Sequence, residues 1–393
     1  MLRSLYSGIS GLRSHQTMLD VTGNNIANVN TTGFKSNAVV FQDTLSQMTQ
    51  GGAAPAANAG GRNPAQVGLG VQVAGITTNF TQGSSQATGR GTDLMISGEG
   101  FFVTRQGNQN LYTRAGAFDV DAAGRLVTTD GSILQGWSAT NGVVNQGAAI
   151  GDIVLPDGAV SPAQPTTTAS LGGNMPSETP VGGTLTRDIK AYDAQGRETN
   201  VPVTFTRTTT GWTASGGTGG TPVNLTLNAN GTLEGTKTLT AAVAGGVSVT
   251  VDLSAVTGYA GVNNMAVTAS NGAPAGTIES FALSPDGTVM GSFSNGDKIA
   301  LGRIVLASFT NPAGLEKAGN SSYTASANSG EAVIGAPGEA GVGGLVSGAL
   351  EMSNVDLSQE FTNLIVAQRG FQANARIITT SDEVLQELTN LKR

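Results

Sequence analysis

Apolar residues recur every seven positions at both ends of this chain, and no other feature constrains the fold as tightly. Toward the C-terminus Leu357, Leu364, Phe371, Ile378 and Leu385 keep strict heptad intervals, with Phe361 and Ala375 between them at three-four spacing. Toward the N-terminus Leu5, Leu12, Leu19 and Ile26 repeat the interval, and Leu2 and Ile9 supply the offset positions. That period lines one face of a helix, so both ends read as amphipathic helices with a coiled-coil seam. No proline interrupts the C-terminal stretch after Pro337, and Asn354 or Asp356 offers an accepting oxygen to the free N–H groups of a first turn. At 1.5 Å per residue such a helix reaches roughly 50 Å, more than a compact domain requires, so it wants a partner. Two arrangements are open: an antiparallel hairpin within one chain, or packing between chains. Gln16 and Gly23 in the first seam, and Gln368 and Asp382 in the second, fall where apolar residues would pack best. Such positions weaken a coil and fix its register.

The middle of the chain has a different character. Its 393 residues suffice for two or three domains. With 57 glycines, only 12% charged residues, and threonine and valine between Asn-Gly and Asp-Gly pairs, the body reads as β-rich with tight turns. A net charge of −7 and the lack of a basic cluster exclude nucleic acid as a partner, because neutralising phosphates needs grouped Lys and Arg. The chain has no cysteine, which rules out disulfides, thiolate zinc sites and a cysteine nucleophile. Arg3 and Arg13 interrupt the apolar run from Leu2 to Leu19, so no cleaved secretory signal is expected, and no stretch is long and apolar enough to span a bilayer. The expectation is a cytosolic protein or one exported without signal cleavage.

Read in order, residues 1–30 form the first helix, stopped by Asn28-Val29-Asn30-Thr31-Thr32-Gly33. Residues 31–66 read as a linker, too poor in apolar side chains to offset the entropy of ordering them. Runs such as Val71 to Ile76 and Arg125 to Thr128 predict hairpins, with turns at 121–124 and 130–131. A further hairpin brackets Ser294-Asn295-Gly296-Asp297, whose Asn-Gly predicts a type I′ turn. Residues 67–145 and 285–351 are expected to build one discontinuous inner β-domain, since their outer neighbours are the two terminal helices, 1–30 and 352–393. Residues 146–284 read as an inserted outer β-domain with weak strands near 200–207 and 247–253, and 208–222 as an exposed loop or a threonine-rich edge strand. The fold class expected is mixed α and β: helical ends forming a coiled-coil-like domain around two nested, mainly β domains.

Residues suited to catalysis are few. The single histidine, His15, lies on the first helix, where packing or solvation explains it better than a triad without marked partners. Asp119, Asp121, Asp130, Asp286 and Asp297 sit in turn contexts, where aspartate serves the backbone. Gly68-Leu69-Gly70 and Gly341-Val342-Gly343-Gly344 lack a P-loop lysine and the dinucleotide fingerprint. Phe101, Phe102, Tyr112, Phe118 and Trp137 read as core rather than a ligand stack. Neither an enzyme nor a cofactor or metal site is expected.

Residues 22–35, Thr-Gly-Asn-Asn-Ile-Ala-Asn-Val-Asn-Thr-Thr-Gly-Phe-Lys, are more particular than a helix stop requires. This run resembles the signature of the flagellar axial proteins, the rod and hook subunits. Blocks at 93–103, 112–118 and 134–137, and the ending 353–361 and 368–374, match the same family in its order. The motif positions are Asn24, Asn25, Ala27, Asn28, Gly33, Asn354, Asp356, Gln368 and Arg369. The resemblance, most similar to the hook subunits, implies a structural protein that self-assembles helically into a curved torque-transmitting tube, with the heptad residues as its seam. It further implies a homopolymer in the extracellular hook of the basal body. By the same resemblance it meets rod and hook-filament junction proteins, a hook cap and the type III export apparatus. The alternatives are a distal rod subunit, which resembles the hook at both ends but lacks a large insert, or a secreted β-rich fibre or adhesin, which would not carry these helical ends. The terminal segments of an isolated monomer are expected to be loosely helical or disordered.

Overall fold

A computed structural model describes residues 2–55, 60–140, 142–155, 158–217, 220–242, 248–339 and 341–391, with the Leu2 side chain outside that set. Helix α1 spans Leu2–Ala27 and helix α2 spans Leu357–Asn390; the described chain between them is strand, turn and one 3₁₀ turn at Pro312–Gly314. The expected class is therefore the one observed. Asp356 caps α2, its carboxylate accepting from the N–H groups of Ser358 (2.8 Å) and Gln359 (3.2 Å). Among the described residues no helix is long and apolar enough to cross a membrane.

Two compact units are present: Met1–Leu155 with Leu283–Val289 and Ala300–Arg393, and Pro156–Ala282 with Met290–Ile299. In the first, strands Phe101–Gln106 and Gln109–Thr113 form an antiparallel hairpin running from Phe102 opposite Thr113 to Gln106 opposite Gln109. Side chains alternate across a strand, so Phe102 enters one apolar cluster with Leu94, Phe118 and Leu134, while Phe101 and Val103 enter another with Tyr112, Trp137 and Tyr323. Ile304 and Leu306 join the former and Val305 and Ala307 the latter. Burial on both faces explains why these runs are continuously apolar. The aromatics read as core are core, each 7% exposed or less.

The segment expected as a linker, 31–66, carries strands. Asn37–Asp43 pairs antiparallel with Val71–Thr78 across a bulge at Val40 and Phe41, and Ser46–Gln50 pairs with Ala65–Gly68. Residues 56–59 of that segment lie outside the described set. Its ordered start depends on neighbours, foremost the burial of Lys35.

In the second unit one sheet runs Thr238–Ala242, Ser248–Thr257, Thr168–Asn174 and Ala266–Ser270, its central pair parallel. A five-stranded antiparallel sheet follows from Thr184–Tyr192 through Glu198–Arg207, Trp212–Gly216 and Val223–Leu227 to Leu233–Glu234. A single apolar cluster, including Leu171, Ile189, Phe205, Trp212, Leu225 and Val251, draws on both sheets. One sequence expectation is corrected here. The stretch 208–222, expected as an exposed loop or an edge strand, contains Trp212–Gly216, an interior strand of the five-stranded sheet whose Trp212 and Ala214 are buried; residues 218 and 219 lie outside the described set. Flanking glycine and threonine concealed that short alternation. Val247, at the start of another expected strand, also lies outside the described set.

The turn at 294–297 is not type I′. Only Gly296 takes a positive φ, 85°, while Gly296 donates to the carbonyl of Phe293 (2.9 Å) and Phe293 to that of Asp297 (3.0 Å). This is the longer connection in which a first turn is followed by a left-handed glycine. The Asn295 side chain is occupied with the carbonyl of Pro274 at 3.0 Å.

Candidate assembly site

The two terminal helices run antiparallel. Gly8 faces Asn374 and Ile378, Gly11 faces Asn374, His15 faces Gly370, and Asn25 bonds Glu360. A Cβ added at Gly11 would lie 2.7 Å from the Asn374 amide, and one at Gly370 would lie 2.5 Å from the His15 ring. The two glycines thus open space that the Asn374 amide and the His15 ring fill from the opposite helix. Other residues buried in α1 and α2 are equally short or polar: Ser14, Thr22 and Asn25 on one, Glu360, Ala367 and Ser381 on the other. At the end of the seam Asn25 donates to Glu360 Oε1 (3.0 Å) and to the Asn37 carbonyl (2.8 Å), and accepts from the Asn37 N–H (3.0 Å). His15 has a packing position, its ring 5.9 Å from that of Phe41.

The heptad residues do not form this intrachain seam as a block. Leu5, Leu12, Leu19 and Ile26 in α1, and Leu364, Ile378 and Leu385 in α2, are half-buried, while Ile9, Leu357, Phe361 and Phe371 are exposed. A strict seven-residue repeat slips by about 20° per heptad on a straight 3.6-residue helix. The stripe therefore does not keep to one face of the pair: Leu357 and Phe371 stay exposed while Leu364, Ile378 and Leu385 are half-buried. Gln16, Gly23, Gln368 and Asp382, the expected weak points of the seam, all point outward. Sequence reasoning missed Tyr6, Ile365, Val366, Ile377, Val384 and Leu388, which extend the exposed apolar surface. Ile365 follows Leu357 and Phe361 at four-residue spacing, a signal that was present.

Below the helix pair three charged side chains meet out of solvent. Lys35 Nζ donates to Glu351 Oε1 at 2.6 Å and to the Thr81 carbonyl at 2.7 Å. Arg114 Nη1 reaches Glu351 Oε2 at 3.3 Å and the Gly98 carbonyl at 3.0 Å. Their side-chain exposures are 0% for Lys35, 1% for Glu351 and 3% for Arg114. Burial pulls the Lys35 amine below its ordinary range, a shift opposed by the Glu351 hydrogen bond and charge. Each of the three comes from a different stretch of chain, so the cluster ties residues 35, 114 and 351 together.

Several motif residues serve this junction. Gly33 adopts φ 67°, where an added Cβ would fall 2.4 Å from the Ala115 nitrogen, and its N–H donates to the Glu351 carbonyl (2.8 Å). Asn354 accepts from the Ser36 N–H (2.8 Å) and donates to the Asn79 carbonyl (2.8 Å). Asn28 donates to the Asn24 carbonyl at 2.9 Å. Asn24 and Ala27 are exposed, and Gln368 and Arg369 are exposed with no side-chain hydrogen bond or ion pair among the described residues. Lys35, Arg114 and Glu351 were not singled out by sequence, although Lys35 and Arg114 stand inside the matched blocks.

Asp121, Asp130, Asp286 and Asp297 keep to their turns, but Asp119, also expected in one, lies in the strand Phe118–Val120 and pairs with Arg90. Asp121 accepts from the N–H groups of Ala123 (2.9 Å) and Arg125 (2.8 Å), and the bonds from Arg125 hold its carboxyl below the usual range. Among the described residues no group of three or more His, Cys, Asp or Glu gathers for a metal ion.

Comparison with known proteins gives three family profiles in chain order. One described as flagella basal body rod protein matches residues 5–35, covering most of α1 and the turn after it. One described as flagellar hook protein FlgE/F/G D1 domain matches 95–165, and one described as flagellar basal body rod FlgEFG protein C-terminal matches 346–391, which includes α2. Over the full length of both chains the sequence is 39% identical to the flagellar hook protein FlgE of Borreliella burgdorferi. It is 38% identical to the FlgE of Salmonella typhimurium over 99% of this chain and all of that one. It is 35% identical to the flagellar basal-body rod protein FlgG of Bacillus subtilis over the full length of both.

Proposed function

The chain belongs to the flagellar hook protein family, and from that premise we propose that its terminal helix pair is the surface through which copies polymerise. It is a structural subunit of the flagellar hook, the curved tube that passes motor torque to the filament. One observation carries the assembly reading: the helices close on each other through glycine, alanine and short polar residues, leaving large apolar side chains outward. Large apolar side chains left exposed in this number on one helix mark an interaction surface. Copies related by a heterologous contact that does not close build an open helical array. The seam between copies is assigned to Leu5, Ile9, Leu12, Leu19, Ile26, Leu357, Phe361, Leu364, Phe371, Ile378 and Leu385. The residues half-buried within one chain complete their burial against the next.

In this reading 1–30 and 352–393 assemble, 67–145 with 285–351 forms the tube wall, and 146–284 lies outside it. The role is mechanical rather than enzymatic. Rod, junction and cap proteins adjoin the polymer, and export proceeds through the flagellar type III apparatus without signal cleavage.

Phe361→Asp tests the assignment. Phe361 is 52% exposed in the single chain, so the change leaves the circular dichroism spectrum and unfolding midpoint of the monomer near wild type. Between copies the new carboxylate must lose water without a partner, so tubes disappear from sedimentation and electron microscopy. Normal tubes from the variant would refute a packed terminal seam.

A further inference from the structure

A cavity of about 380 Å³ opens beside the buried charge cluster. Phe80, Phe101, Phe309 and Pro312 line it, together with Arg114 and Glu99. The aromatic walls are fixed by mutual packing: the Phe80 and Phe101 rings lie 5.5 Å apart edge to face, and those of Phe101 and Phe309 lie 5.9 Å apart. Arg114 lies 5.4 Å from the Phe101 ring centre, and its Nε has no hydrogen-bond partner.

The charges nearby do not balance. Lys35 and Arg114 bring two cations and Glu351 one carboxylate, all three shielded from water. Each carboxylate oxygen is already engaged: Oε1 by Lys35 and the Gly83 N–H (2.8 Å), Oε2 by Arg114 at the longer distance of 3.3 Å. Among the described residues one positive charge therefore lacks a counter-ion at the edge of an apolar cavity. A carboxylate attached to an apolar or aromatic group matches both features, the anion meeting guanidinium and the hydrophobic part meeting the phenyl walls.

We propose that this cavity receives such a carboxylate from a second copy of the chain, an inference that rests on the polymerisation reading above. Charge complementarity selects the occupant: the chain carries 27 acidic against 20 basic residues, a net charge of −7, so a second copy brings carboxylates in excess over cations to a cavity edged by an unbalanced cation. Glu99, exposed and without an ion pair among the described residues, is a rival carboxylate from the same chain. Its removal should favour the incoming group.

The test uses the full chain. Ala313, an exposed residue lining the cavity, is replaced in Ala313→Trp to fill it, and Glu99→Gln removes the rival. Ala313→Trp raises the critical concentration for tube formation severalfold and Glu99→Gln lowers it. Phenylacetate shifts the NMR signals of residues lining the cavity in the monomer and inhibits assembly. Phenylacetamide, lacking the charge, is about tenfold weaker in both. Equal potency of acid and amide overturns the charged site. Wild-type critical concentrations in both variants overturn a second copy as occupant, and if phenylacetate still binds the cavity is a small-carboxylate site instead. Failure of the unmodified chain to form tubes under any condition strikes the polymerisation reading and the second copy with it, whereas the monomer titration still decides the chemistry of the cavity.

Discussion

Replacing Glu351 by glutamine removes the only anion from a cluster holding two buried cations. The carboxylate accepts from Lys35 at 2.6 Å, from the Gly83 N–H at 2.8 Å and from Arg114 at 3.3 Å. Glutamine preserves one accepting oxygen, but its amide NH₂ must face one of the cations, and neither charge can recover hydration without opening the core. Breaking a buried pair by deleting one partner costs about 3–5 kcal/mol. Because domains are stable by only about 5–15 kcal/mol, that is a large share of the first unit's margin. The two tryptophans separate the units: Trp137 lies in a core of the first and Trp212 in the core of the second. In a Trp212→Phe background, fluorescence-detected urea unfolding should show the Glu351→Gln midpoint falling by about 1–2 M, taking a slope near the upper end of the usual 1–3 kcal/mol per molar urea. In a Trp137→Phe background the remaining tryptophan should report no change. Lys35→Met should cost less than Glu351→Gln, since Arg114 and Glu351 then form a matched pair. An unmoved Trp137 transition, or equal losses in both backgrounds, would refute the assigned balance of charge.

Two further outcomes are expected. Gly33→Ala combines a left-handed φ with overlap against the backbone of Arg114 and Ala115, so it should destabilise the first unit by more than about 2 kcal/mol in the same urea assay. Burial pushes the Tyr323 phenol up to about 12 from an ordinary 10.0. Between those values the unfolded chain has released a proton that the folded chain retains, so this group's contribution is complete below pH 10 and declines as pH rises toward 12. The loss is about 3 kcal/mol, and Tyr323→Phe should flatten that part of the stability–pH profile in alkaline denaturation.

Periodicity made the ends of this chain legible, because 3.6-residue spacing and the Asp356 cap are local facts. The aromatics Phe101, Phe102, Tyr112 and Phe118 likewise announced a strand core. Burial of Lys35 was not legible: a lysine reads as solvated until a carboxylate 316 residues away is brought to it. Trp212 was hidden by neighbouring glycine and threonine, and the turn at Asn295 by a connection one step longer than the Asn-Gly rule assumes.

The glycines of the helices are the most instructive failure. By propensity Gly8, Gly11 and Gly370 weaken a helix, each by about 1 kcal/mol relative to alanine. In the antiparallel pair the same residues make room for side chains of the opposite helix that alanine would crowd at Gly11 and Gly370, where an added Cβ would fall within 2.7 Å of the Asn374 amide and the His15 ring. A reading that ranks helix faces by hydrophobicity therefore finds the leucine and phenylalanine stripe and overlooks the seam made of what is absent. The two faces are complementary consequences of one sequence. Short residues close the chain on itself, and because they do so, Leu357, Phe361 and Phe371 retain apolar surface that intrachain pairing does not consume.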